Sequence, residues 1–140
     1  MQKKLNGFLA DLVVESHKIQ GFHWYVKGPD FFQAHAQLET YYNEVSAFID
    51  EVAEIMLMRE MKPYATLEQF SKNASIAEGK AAFITSKEAY AELAKDFETM
   101  LESAKAIKEQ AEKDGDKLIE IKADAYIEYF SKAIWMLNQH

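Results

Sequence analysis

The chain predicts an all-α fold, a four-helix bundle with a short extra helix between helices 2 and 3. Three observations predict it. Apolar residues recur at amphipathic-helix spacing along most of the 140 residues, and no segment shows the two-residue alternation of a strand. Only two prolines and five glycines interrupt the pattern. Where breaks occur, Asp or Thr is followed three residues later by Gln or Glu, the reciprocal cap that opens a helix.

The first helix is expected from about Gln2 to Val26, with Leu5, Phe8, Leu9, Leu12, Val13, Ile19 and Phe22 at helical spacings. Gly28-Pro29 ends it. Asp30 reads as an N-cap, with Gln33 completing a capping box. The second helix then runs to about Glu60 on Phe31, Leu38, Tyr42, Val45, Ile49, Val52, Ile55 and Met56, with Pro63 beyond its end. Thr66 and Gln69 form the next box and open a short helix over Leu67–Lys72, followed by a looser stretch, Asn73–Ile84. Thr85 and Glu88 open a long helix to about Lys113. Asp114-Gly115-Asp116 supplies a stop and a fresh cap, and the last helix runs from Lys117 to about Asn138. No repeat, low-complexity segment or linker divides the chain, so residues 1–140 read as a single domain.

Nine Phe, seven Tyr and six Met within a 49% apolar composition are enough for a packed core and argue against disorder. The absence of Cys excludes disulfides and thiolate metal sites. No signal-peptide core and no run of ~18 apolar residues is found, so a soluble, cytoplasmic protein is expected, with no membrane partner. A net charge of -7 and the lack of a Lys/Arg tail argue against strong nucleic-acid binding. An acidic surface steers cations instead.

The residues that carry chemistry fall in two groups. His23 and His35 flank the Gly28-Pro29 break, with Glu39 one turn beyond His35; Asp50 and Glu54 lie one turn apart further along the second helix. Imidazole and carboxylate together suit iron or a similar divalent metal. Fifteen residues of helix separate His35 from Asp50, ~22 Å at 1.5 Å per residue, too far for one metal to touch both. Bundles that hold two metals in their own core use Glu-x-x-His, a motif this chain lacks. If the two groups share a site, two subunits build it, and a two-fold dimer builds it twice.

The motif His23-Trp24-Tyr25-x-x-Gly28-Pro29-x-Phe31-Phe32-x-x-His35, then Asp50-x-x-x-Glu54, resembles the Dps family of mini-ferritins. The closing Lys132-Ala133-Ile134-Trp135-Met136-Leu137 is similar to that family's final helix, so the resemblance spans nearly the whole chain. It implies a ferritin-like bundle assembled as a hollow dodecamer from two-fold dimers, with ferroxidase centres between partners. It also implies iron storage, and peroxide resistance under oxidative stress. Carried over, His23 and His35 bind metal from one subunit, with Glu39 near a second metal position, and Asp50 and Glu54 come from the partner. Trp24 would lie beside the metal and intercept stray radicals. Fe(II) and hydrogen peroxide are the implied substrates, and ferric oxide the stored product. Both imidazoles must be neutral to bind, so iron uptake should weaken below pH ~6.5.

The chain departs from the family pattern at Ile55, where Arg is usual after the Glu, and at Arg59-Glu60-Met61, which replaces a Gly-Gly neighbourhood and would let the second helix run longer. Glu112, Asp116 and Glu120, at four-residue spacing, are candidates for a cation pore, against the plainer reading of a solvated face. His17 and His140 read as ordinary surface or capping residues, Trp135 as a packing aromatic, and Glu39 admits a solvated role. Two other function classes compete with ferroxidase: a nucleoid-associated DNA-protecting protein, disfavoured by the acidic balance, and a structural oligomer with a degenerate metal site.

Overall fold

The computed structural model describes residues 1–140. Its elements are α1 (Gln2–Tyr25), β1 (Val26–Lys27), α2 (Phe31–Met58), α3 (Leu67–Asn73), β2 (Ile84–Thr85), α4 (Ser86–Asp114) and α5 (Lys117–Leu137). The four long helices and the short α3 match the expected bundle. The strands were not expected: two residues each, they are too short for a period of two to show in sequence. They pair in parallel, Val26 with Ile84 and Lys27 with Thr85.

That pairing fixes the topology. β1 follows α1 directly and β2 leads directly into α4, so α4 starts at the same end of the bundle as α2. The helices α1 and α2 form one antiparallel hairpin, α4 and α5 another, and the segment carrying α3 crosses between them. Two buried polar residues on α1 hold the crossover in place. Asn6 donates to Lys62 O and accepts from Tyr64 N. Asp11 accepts from Ser75 N and Oγ, both at 2.7 Å, and from Ile76 N at 3.1 Å. Their polar atoms satisfy backbone that would otherwise be buried without partners.

The core runs between the hairpins and is largely aromatic at its centre. Phe130 packs against Phe97 at 5.2 Å between ring centroids, Phe48 at 6.2 Å and Phe8 at 6.4 Å. Each long helix contributes buried apolar residues at helical spacing, including Leu12 and Ile19 from α1, Leu38, Val45 and Ile55 from α2, Leu93 and Phe97 from α4, and Ile119 from α5.

Helix ends show where local signals succeed or fail. The Thr66–Gln69 capping box forms in both directions, and Thr85 Oγ1 accepts from Glu88 N. Asp116 caps α5 through Ile119 N. Asp30 precedes α2 but makes no cap bond; its carboxylate accepts from Ser86 Oγ at 2.7 Å, tying the α1–α2 turn to α4. A tertiary partner has displaced the local one.

Helix α2 ends two residues before the expected Glu60. It stops at Met58 with Met61 N bonded to Met56 O and Glu60 N to Leu57 O, the double closure of a Schellman end. Glu60 occupies the left-handed position at φ 59, which glycine would adopt without steric cost. Glu60→Gly is therefore expected to stabilise the fold by ~1 kcal/mol, read as a higher urea midpoint at fixed protein concentration. An unchanged or lower midpoint would refute the strain.

Candidate metal centre

The α1–α2 turn brings two imidazoles face to face. Gly28, at φ 137, reverses the chain in a conformation open to glycine, and Phe31 N closes the turn on Gly28 O. The last turn of α1 thereby lies against the first turns of α2. The His23 and His35 rings stack with centroids 3.7 Å apart and planes 13° from parallel. Each anchors the other's helix: His23 Nδ1 donates to His35 O at 2.7 Å, and His35 Nδ1 donates to His23 O at 2.8 Å.

This reciprocal arrangement decides the tautomer. A carbonyl only accepts, so both Nδ1 atoms carry hydrogen and the neutral rings leave both Nε2 lone pairs for a metal. The rings cannot easily turn. Phe31 stacks on His35 at 4.9 Å, and Tyr42 meets His23 edge-on at 5.3 Å. His23 is 7% exposed, while His35 is half-buried. Glu39 is exposed, with the Tyr42 hydroxyl donating to its Oε1 at 3.5 Å. Trp24 is also exposed and meets His17 edge-on at 6.3 Å.

Asp50 and Glu54 project to solvent side by side from further along α2. The neighbouring Asp50 carboxyl raises Glu54 above the ordinary glutamate value, so the pair is short of positive charge. Glu51, between them in sequence, points elsewhere: it accepts from Lys122 of α5 at 2.6 Å. Ile55, in the place of an expected arginine, is buried in the core.

Within one chain the two groups stay apart, and no three His, Asp or Glu side chains converge so as to hold a metal. The imidazole pair and the carboxylate pair are each assembled, but separately. The acids Glu112, Asp116 and Glu120 each have an intrachain cation nearby: Lys108 at 4.0 Å, Arg59 at 2.6 Å and Lys117 at 3.6 Å. The Arg59 guanidinium holds Asp116 through two bonds and lowers its carboxyl below the usual range. Asp116 is thus a helix cap and an ion-pair partner. Sequence reading missed Phe31 and Tyr42 as flanks of the imidazole pair, because an aromatic at helical spacing looks like any core residue.

A ferritin-like domain model matches residues 2–140. The chain is 38% identical over 136 residues to "DNA protection during starvation protein 2" of Bacillus anthracis, covering 96% of this chain and 91% of that one. Among solved structures, it superposes with TM-score 0.96 on Helicobacter cinaedi CAIP at 34% identity, covering 99% and 96% of the two chains. It also superposes with TM-score 0.95 at 30% identity on a DPS protein of Vibrio cholerae, described as a member of a broad superfamily of ferritin-like diiron-carboxylate proteins, covering 99% and 86%. No helix is long and apolar enough to cross a membrane.

Proposed function

The chain belongs to the Dps family of ferritin-like proteins, and from that premise we propose that it oxidises Fe(II) at centres shared between two subunits and stores the ferric product inside a closed homo-oligomer, twelve subunits by analogy with the family. The observation that carries this reading is the locked imidazole pair across the α1–α2 turn, with both Nε2 lone pairs free, together with the exposed carboxylate pair further along α2. An antiparallel two-fold pairing of α2 would set His23 and His35 of one subunit against Asp50 and Glu54 of its mate. Fe(II) is the substrate. The imidazoles and one or both carboxylates hold the first ion, and Glu39, oriented by Tyr42, supplies the second position.

The donor set suits the chemistry. Carboxylates neutralise the charge gained as Fe(II) becomes Fe(III), and the small number of donors leaves room for an oxidant. Hydrogen peroxide fits the stoichiometry: two ferrous ions give one electron each, the O–O bond breaks, and two protons are taken up to form two waters. No hydroxyl radical is released. Trp24, beside His23, is placed to be oxidised if a single-electron step escapes.

The test is anaerobic loading with Fe(II), addition of peroxide, and size-exclusion with iron analysis. Many iron atoms per subunit co-eluting with a cage-sized particle are expected. Precipitated iron with the protein in small oligomers would overturn the reading. The names of relatives also favour a DNA-protecting role, which the net charge of -7 opposes. Retardation of DNA in a low-salt gel would restore it.

A further inference from the structure

Two turns before His23 on α1, the fold buries a carboxyl group that nothing neutralises by ordinary pairing. Glu15 is fully buried, and neither of its side-chain oxygens has a hydrogen-bond partner. Facing it are Asp11 and Lys18 from α1 and Asp96 from α4, with Glu92 beyond Lys18. Asp11 is already committed to the Ser75 and Ile76 backbone. Lys18 Nζ lies 2.8 Å from Asp96 Oδ2 and 3.8 Å from Glu92 Oε2, and its side chain is 5% exposed. The single ammonium therefore already serves two carboxylates. Asp96 Oδ2, for its part, is buried without a well-aligned donor despite that ion pair.

Ionised, Glu15 would be an unpaired buried anion beside a second one, an arrangement that proteins avoid by taking up a proton. One proton resolves both defects: a neutral Glu15 donates O–H to Asp96, which Lys18 keeps ionised. We propose that Glu15, Asp96 and Lys18 form a buried proton-binding site that latches α1 to α4 when occupied and weakens that attachment when the proton leaves. Burial first, and then the neighbouring Asp96, push the Glu15 carboxyl well above the usual range, in agreement with this charge state. Burial is the largest influence on Lys18 and would lower it, but the surrounding carboxylates, Asp96 foremost, together raise the ammonium. Lys18 also lines a cavity of about 570 Å³ with Val14, His17, Trp24 and Phe70.

The sign of the effect follows from linkage. A carboxyl raised in the folded state binds more protons there than in the unfolded chain, so stability is complete in acid and falls as pH rises above the ordinary glutamate value, ~4.3. Glu15→Gln keeps a donor for Asp96 without the titration. In the intact assembly it is expected to gain ~10-fold or more in the folding equilibrium at pH ~8, the gain vanishing near pH ~4. Difference infrared should show a protonated-carboxyl C=O band in the wild type at pH ~7 that Glu15→Gln lacks and that disappears as pH is raised. A variant no more stable than wild type at high pH, or a wild type without the band, would overturn the assignment. If Glu15→Gln does not fold, the infrared titration of the wild type decides alone: a band lost with rising pH supports the site, and its absence refutes it.

Discussion

Replacing His23 or Asp50 by Ala is expected to slow Fe(II) oxidation by ~100-fold or more while the helical circular dichroism is kept. Asp50 is exposed, and His23, though buried against His35 and Tyr42, is not part of the apolar cluster that joins the four long helices. The stronger result comes from mixing. If each centre takes its imidazoles from one subunit and its carboxylates from the other, a dimer of one His23→Ala and one Asp50→Ala subunit has one centre broken twice and one intact. Random co-assembly of the two inactive variants then restores ~25% of the centres. Oxidation rate against mixing ratio measures this directly. No recovery, with mixed assemblies verified by mass, would place the whole site within one chain and remove the two-subunit reading.

The second large effect concerns the fold. Phe130→Ala empties the position where rings from α1, α2, α4 and α5 meet, since Phe130 packs against Phe8, Phe48, Phe97 and Tyr129 and is fully buried. Truncating a ring in such a position costs ~3–5 kcal/mol through lost burial and the cavity left behind. That is a large part of a typical domain's 5–15 kcal/mol. Urea unfolding at fixed protein concentration should show a midpoint fall of matching size, because assembly adds a concentration term. A loss under ~1 kcal/mol would mean that the rings repack around the gap.

Much of the architecture is local and so legible in residues. Leu5 to Phe22, Phe31 to Met56 and the periodic apolar residues of α4 and α5 announce amphipathic helices because helical backbone geometry repeats every 3.6 residues whatever it packs against. Thr66, Thr85 and Asp116 announce helix starts for the same reason: a side chain capping backbone two or three residues on needs no tertiary partner. Asp30 shows the limit, since Ser86, 56 residues away, competes for its carboxylate and wins. Glu60 shows it too, because the closure that ends α2 holds a non-glycine residue in the left-handed region.

The candidate site divides the same way. Sequence alone determined the helical class, the family and the ~22 Å gap between the candidate donor groups in one subunit, because residue identity and helical rise are properties of the chain itself. Only the tertiary structure decided how the donors are prepared. The stacked imidazoles, their exchange of carbonyl bonds and the tautomer that frees both Nε2 atoms depend on two helix ends meeting across Gly28. Glu15 likewise passes in sequence for an ordinary solvated carboxylate. It becomes a proton site only because α4 closes over it, and burial, which sets the charge of a carboxyl, is a property of packing and not of the residue.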